Sequence, residues 1–110
     1  MNLSQLIQSL GCRVIVEPPA EVQVSAAYTS DLLSDIMGNA ADYAVLITIQ
    51  AHKNTIAVAM QLESPAVILC NNRPVGSDVQ EAARSAGIAV LQTDADQFTV
   101  SGKLYALLHA

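Results

Sequence analysis

Three short polar segments contain most of the residues that could recognise a ligand. They are residues 50–54, 71–74 and 92–96, and each follows an apolar run of strand length. Lys53 and Arg73, two of only five basic residues, lie in them although the chain has a net charge of −5. Positive side chains beside helix N-termini, where backbone N–H groups are free, favour a phosphate or carboxylate group. We therefore predict a site for a small anionic ligand. The residues predicted to form it are His52, Lys53, Asn54, Asn71, Asn72, Arg73, Thr93 and Asp94.

The same residue types also cap helices and turn the chain, which is the alternative explanation for each segment. His52 lacks a companion for metal binding or proton transfer, since the other histidine, His109, is the penultimate residue. Asp94 and Asp96 could bind a magnesium ion carried by a phosphate, but Asp96 is also the expected N-cap of the last helix. The sequence favours a capping or surface role for His52, and a capping role for Asp96, over chemistry.

Common catalytic patterns are absent from the sequence. The chain has no G-x-G-x-x-G or G-x-x-x-x-G-K-[ST] phosphate loop, no G-x-S-x-G nucleophile turn and no H-E-x-x-H zinc motif. Its two cysteines, Cys12 and Cys70, are too few for a four-cysteine metal site, and Cys70 ends an apolar run that indicates a buried thiol. We expect a protein that is not an enzyme and has no cofactor, catalytic residue or metal site.

The composition predicts one small globular domain spanning residues 1–110, with 52% hydrophobic and 14% charged residues. Ten acidic residues against five basic ones argue against binding to nucleic acid or to an anionic membrane. The N-terminus lacks the basic start and apolar run of a signal peptide. The longest apolar stretch, residues 43–49, is far shorter than the ~20 residues of a spanning helix. These features predict a cytoplasmic protein with reduced thiols.

The elements that must position the three polar segments alternate regularly in the second half of the chain. Continuous apolar runs predict buried strands at residues 44–49, 66–70 and 88–91. Helical patterns lie at residues 54–62, from Ser77 to Gly87 with a Ser77–Gln80 capping box, and after Asp96. This alternation predicts an α/β fold, a small layered structure with a parallel or mixed sheet flanked by helices. In such sheets the loops after the strands meet at one edge, where ligands bind.

The first half of the chain has weaker patterns. They predict a helix at residues 3–10, a strand at 13–16 and a second strand at 22–28. A helix is expected next, capped by Thr29 or Ser30 and ended by Gly38 in a left-handed conformation.

Two surface features are expected on the helices. Asp31 and Asp35 are four residues apart, so the helix after residue 30 is predicted to carry both on one exposed face. Residues 54–62 are apolar on almost every side of their helix, which indicates surface buried between subunits. We therefore predict a homo-oligomer, specifically a dimer.

Several segments in the same order resemble the DRTGG domain family, most closely its short stand-alone branch associated with iron-only hydrogenase genes. The resemblance extends over residues 22–108. The segments that carry it are residues 31–35, 46–54, 57–59, 67–69, 73–74, 86–91, 98 and 102–105. The chain has His52-Lys53 where the family shows Asp-Arg, and Cys70-Asn71-Asn72 where it shows Thr-Gly-Gly. Asparagine tolerates the positive φ that such a turn requires.

The resemblance implies a small α/β domain with a regulatory or dimerising role, as in phosphotransacetylases and nucleotide-regulated pyrophosphatases. The first predicted function is a non-catalytic regulatory or protein-interaction module that self-associates and senses a small anionic ligand. The second is a domain that binds a nucleotide or phosphorylated metabolite. The third is a hydrogenase-associated accessory protein with a hydrogenase-related partner.

Overall fold

A five-stranded mixed sheet carries five helices in the computed structural model, which describes residues 1–110. The strands are β1 (Arg13–Val16), β2 (Ala27–Thr29), β3 (Val45–Thr48), β4 (Ala66–Leu69) and β5 (Ala89–Gln92). The helices are α1 (Leu3–Leu10), α2 (Leu33–Asn39), α3 (Lys53–Gln61), α4 (Ser77–Ala86) and α5 (Gln97–Leu108). The predicted α/β class is confirmed. None of the helices combines the length and apolar character needed to span a bilayer.

The strand order across the sheet is β1-β5-β4-β3-β2. Strands β2 to β5 run parallel to their neighbours, and β1 pairs antiparallel with β5. The loops after β3, β4 and β5 therefore emerge at the same, carboxyl edge of the sheet. Strands β1 and β2 are consecutive in the chain but lie at opposite edges, so residues 17–26 cross the full width of the sheet.

Both faces of the sheet are covered by helices. The face under α3 and α4 buries Leu46 and Leu69, whereas the face under α1 and α5 buries Ile47 and Ile68. Every residue of β3 and β4 is buried. The continuous apolar runs of these strands follow from burial on both faces, because no position faces water.

The predicted strand at residues 22–28 is wrong in most of its length, since β2 contains only Ala27–Thr29. The preceding residues form an extended connection that bonds to the start of the chain. Leu3 N–H donates to Val22 O at 3.0 Å, and Val24 N–H donates to Met1 O at 2.8 Å. Val24 is buried against the α1 face of the sheet. This burial explains why residues 22–28 alternate between apolar and polar side chains although most of them are not in a strand.

Three predictions about helices are also wrong. Gly38 lies inside α2 rather than at a left-handed C-terminus, and no side chain caps that helix. Ser77 is the first helical residue of α4, whose N-cap is Gly76, so the expected capping box is absent. Helix α3 buries one side within the chain and exposes Met60 on the other, so its predicted burial between subunits stays a prediction. Gly87 does end α4 in a left-handed conformation, with φ 71°.

Gly87→Ala is expected to lower the free energy of unfolding by about 1 kcal/mol, because alanine is strained at positive φ. A steric clash does not contribute to this loss, since an added Cβ would meet only Pro19 Cγ at 3.7 Å. The matched control is Gly38→Ala, which adds a methyl group to open space in the last turn of α2. That control is expected to raise the free energy of unfolding by roughly 0.5–1 kcal/mol. Urea denaturation of both variants checks the pair, and equal effects would contradict the argument.

Candidate functional site

The carboxyl edge of the sheet brings the three predicted segments together as neighbours. Asn71 N–H donates to Ala95 O at 2.9 Å, and Asn72 N–H donates to Thr93 O at 2.8 Å. These bonds join residues 71–74 to residues 92–96. Asn71 and Asn72 have φ of 59° and 51°. The expected left-handed asparagine turn is therefore present.

Asp31 connects β2, β3 and α5 at this edge. Its Oδ1 accepts hydrogen bonds from Thr48 Oγ1 and from Ile49 N–H, both at 3.0 Å, and its Oδ2 accepts from Gln97 Nε2 at 3.0 Å. Burial raises the pKa of Asp31, but these bonds and the charge of Arg73 outweigh burial and hold the pKa below its ordinary value. Asp31 is thus an ionised, fully bonded carboxylate at the carboxyl edge.

The predicted pairing of Asp31 with Asp35 on one exposed helix face is wrong. Asp31 precedes α2, which begins at Leu33, whereas Asp35 lies in the helix. Asp35 accepts a hydrogen bond from Tyr28 Oη at 2.9 Å and from Asn39 Nδ2 at 2.9 Å. The position of Asp31 two residues after a strand could have indicated a role at the sheet edge, but Asp31 was assigned to the following helix.

Arg13 was not among the predicted site residues, but it binds the side chains of two residues that were. Its Nη2 atom donates to Asn72 Oδ1 at 2.6 Å and pairs with Asp94 Oδ1 at 2.9 Å. Its Nε atom also donates to Gln92 Oε1 at 3.0 Å. Arg13 of β1 therefore holds the side chains of Asn72 and Asp94, which both remain exposed to solvent.

Thr93 and Asp96 have structural roles at the same edge. Thr93 is buried, its N–H donates to Leu69 O at 3.0 Å, and its Oγ1 accepts from Ala95 N–H at 3.2 Å. Asp96 caps α5, accepting a hydrogen bond from Thr99 N–H at 2.8 Å. The capping role predicted for Asp96 is confirmed.

The remaining predicted residues lie where α3 and α4 begin. His52, Lys53 and Asn54 line a shallow depression of about 390 Å³ together with Asp78 of α4. No side chain caps α3 or α4, in contrast to α1 and α5, which are capped by Asn2 and by Asp96. The N–H groups of the first two residues of α3 and of α4 are therefore available to a ligand, whereas Thr55 N–H already donates to His52 O at 3.0 Å.

Lys53 and Arg73 form no ion pair at this edge, since the single ion pair joins Arg13 to Asp94, although Arg73 is near enough to Asp31 to lower its pKa. The eight predicted residues fall into two groups. One surrounds the start of α3, and the other is bonded into the turns after β4 and β5. No single cavity is lined by both groups. No cluster of three His, Cys, Asp or Glu side chains is placed to hold a metal ion.

No family model matches this sequence, and no curated protein matches it. Among solved structures, the chain is similar to the regulatory region of a pyrophosphatase from Clostridium perfringens. That structure contains CBS and DRTGG domains complexed with an activator, diadenosine tetraphosphate. The TM-score is 0.67 at 18% identity, and the match covers 91% of this chain and 44% of that one. The chain therefore spans less than half of that region, and at this identity the likeness establishes the fold alone. The fold is DRTGG-like, and the comparison gives no support to the hydrogenase-associated branch.

Proposed function

We propose that this chain is a regulatory module that binds a small phosphate-bearing ligand at the carboxyl edge of its sheet and self-associates. The observation that carries the ligand proposal is the placement of Lys53 and Arg73. Both cations follow neighbouring parallel strands and form no direct ion pair. Lys53 is also the first residue of α3, whose N–H groups are uncapped.

An anion at this position is favoured by two independent effects. The free N–H groups at the starts of α3 and α4 carry the positive end of each helix dipole. The ammonium and guanidinium groups add full charges on a chain whose net charge is −5. Asp78 adds a carboxylate to the depression around Lys53. A nucleotide carries hydrogen-bond donors as well as a phosphate group. Its phosphate would bind the cations, and its donors would bind the carboxylate of Asp78.

The structural neighbour supports nucleotides as the first class to test, because that regulatory region is complexed with diadenosine tetraphosphate. A role in regulation rather than catalysis agrees with the sequence, which contains no common catalytic motif. A hydrogenase-related partner rests on the sequence resemblance alone and is not part of the proposal.

Thermal unfolding in the presence of AMP, ATP, diadenosine tetraphosphate or inorganic phosphate tests the ligand proposal. A ligand at about 100 times its Kd adds ~2.7 kcal/mol to the free energy of unfolding and raises Tm. We expect a nucleotide to produce such a shift, and Lys53→Ala with Arg73→Ala to abolish it. The matched control is Arg84→Ala, which removes one positive charge near the end of α4. No shift with any nucleotide, or an unchanged shift in the double variant, would contradict the proposed site.

A further inference from the structure

Strand β2 leaves one side of its backbone unpaired. It lies at the edge of the sheet and bonds only to β3. Val45 N–H donates to Ala26 O at 2.9 Å, so the even-numbered residues of this segment direct their backbone groups toward β3. In a parallel pair these groups alternate in direction. The N–H and C=O groups of Ala27 and Thr29 therefore point away from the sheet and have no partner within the chain.

Helix α5 presents an aromatic face beside this free edge. Phe98, Gly102, Tyr105 and His109 recur at intervals of four, three and four residues, which places them on one side of the helix. Phe98 is 89% exposed and Tyr105 is 67% exposed. Tyr105 stacks on His109 with ring centroids 4.1 Å apart. An added Cβ at Gly102 would meet nothing within 4 Å, so this face is flat at its centre.

The free edge and the aromatic face form one continuous surface, hereafter the β2–α5 surface. Thr29 Oγ1 and Ser101 Oγ lie 2.7 Å apart and connect the strand to the helix. A groove of about 360 Å³ separates the two elements, with Ile47, Leu104 and Leu108 among its lining residues. The groove contains no aspartate, glutamate, lysine or arginine. In a chain of net charge −5, this uncharged groove brings no acidic side chains of two copies against each other. The carboxylate of Asp35, bonded to Tyr28 Oη, lies outside the groove.

We propose that two copies of this chain form a two-fold dimer through the β2–α5 surface, with β2 of each copy paired antiparallel. The inference rests on the self-association proposed above and identifies its surface. With the two-fold axis at Tyr28, Ala27 of one copy lies opposite Thr29 of the second copy. These two residues exchange both of their outward N–H and C=O groups, and symmetry repeats the exchange. Every outward backbone group of Ala27 and Thr29 then has a partner.

The position of α5 suits the same two-fold arrangement. Helix α5 packs on both β2 and β3, and neighbouring strands lie about 4.8 Å apart. A helix midway over β2 and β3 therefore comes to lie about 10 Å from its symmetric copy. This separation agrees with the ~8–10 Å between the axes of packed helices. The shorter distances in that range need small residues where the helices cross. Gly102, midway between Phe98 and Tyr105, supplies such a residue, although glycine in a helix interior is otherwise unfavourable.

The exposed aromatic rings supply more than half of the area that a specific dimer needs. An aromatic side chain has a surface of roughly 200 Å². At the exposures of Phe98 and Tyr105, these two side chains together expose about 300 Å² per copy. Two copies thus contribute roughly 600 Å² from these rings alone, toward the ~1,000 Å² expected of a specific interface. His109, the lining of the groove and the strand edge supply the remainder.

Sedimentation velocity of the full chain over a concentration series tests the proposal. We expect the unmodified chain to dimerise, and Phe98→Asp and Gly102→Gln to weaken the dimer at least tenfold. Gly102→Gln enters open space and improves helix propensity, so it cannot act by unfolding the monomer. The matched control is Tyr43→Asp, since Tyr43 is 61% exposed on another surface; it should leave the dimer intact. Far-ultraviolet circular dichroism of each variant establishes that it is folded.

The possible outcomes separate this inference from the proposed function. A dimer that persists unchanged in folded Phe98→Asp and Gly102→Gln overturns the β2–α5 surface but leaves self-association standing. A chain that stays monomeric at about 100 µM, a concentration well above the Kd of a specific dimer, overturns both. The nucleotide experiment is independent, because Lys53 and Arg73 do not line the β2–α5 groove.

Discussion

Asp31→Ala is expected to lower the free energy of unfolding by about 2–3 kcal/mol, since hydrogen bonds to a charged group contribute about 1.5–3 kcal/mol each and are only partly additive. The substitution removes the acceptor of Thr48 Oγ1, Ile49 N–H and Gln97 Nε2. Thr48 is fully buried, so its hydroxyl would lose a partner that water cannot easily replace. Urea denaturation monitored by circular dichroism measures the change.

The effect of Asp31 should depend on pH. Its pKa is lowered in the folded state, so the carboxylate binds protons more weakly in the folded than in the unfolded chain. Its stabilisation is complete above about pH 5 and is lost as the pH falls through the folded pKa. The difference in stability between the unmodified chain and Asp31→Ala is therefore expected to shrink on acidification below about pH 4.

Asp94→Ala is the matched control for Asp31→Ala. It breaks the ion pair with Arg13, whose side chain is 48% exposed, while that of Asp94 is 75% exposed. Exposed pairs contribute only about 0–1 kcal/mol, so this variant should remain close to the unmodified chain. Equal losses in the two aspartate variants would contradict a special role for Asp31.

Cys70 is expected to react with iodoacetamide about a hundredfold more slowly in the folded chain than an ordinary thiol does at pH 8. Burial raises the pKa of Cys70 to about 11, and the charges of Cys12, Asp31 and Asp96 act in the same direction. The reactive thiolate is therefore rare. The Cys70 side chain is also fully buried, which limits the access of the reagent.

The Cys12→Ser variant isolates the reaction of Cys70. Alkylation followed by mass spectrometry should be slow in buffer and should reach the ordinary rate in concentrated urea, where both burial and the neighbouring charges are lost. Cys70→Ser provides the comparison, because it retains Cys12, which is only partly buried. An ordinary rate for Cys70 in the folded chain would contradict its predicted protection.

The parts of the fold that could be predicted are those that local patterns encode. Strands β3, β4 and β5 lie within one or two residues of their predicted positions, because burial on both faces produces an uninterrupted apolar run. Strand β2 and the start of α2 could not be placed in this way. Val24 is buried by packing against the α1 face rather than by a sheet, and that contact imitates a strand pattern.

The sequence predicted where the three segments of the candidate site lie, but it did not predict which side chains they bond to. The three segments gather at one edge because β3, β4 and β5 are parallel, which the alternation of elements implies. Their side-chain partners depend on contacts distant in sequence. Arg13 reaches Asp94 across 81 positions through the antiparallel pairing of β1 with β5, and Asp31 reaches Gln97 across 66. No local spacing encodes either contact.

The placement of β1 and β2 at opposite edges has a consequence for the order of folding. Residues 27–108 contain four parallel strands and the helices between them, so their pairings close short loops at small entropic cost. Strand β1 must find β5 across more than seventy intervening residues, and such distant pairings slow the search for the native topology. We therefore expect residues 27–108 to form first and β1 to complete the sheet afterwards.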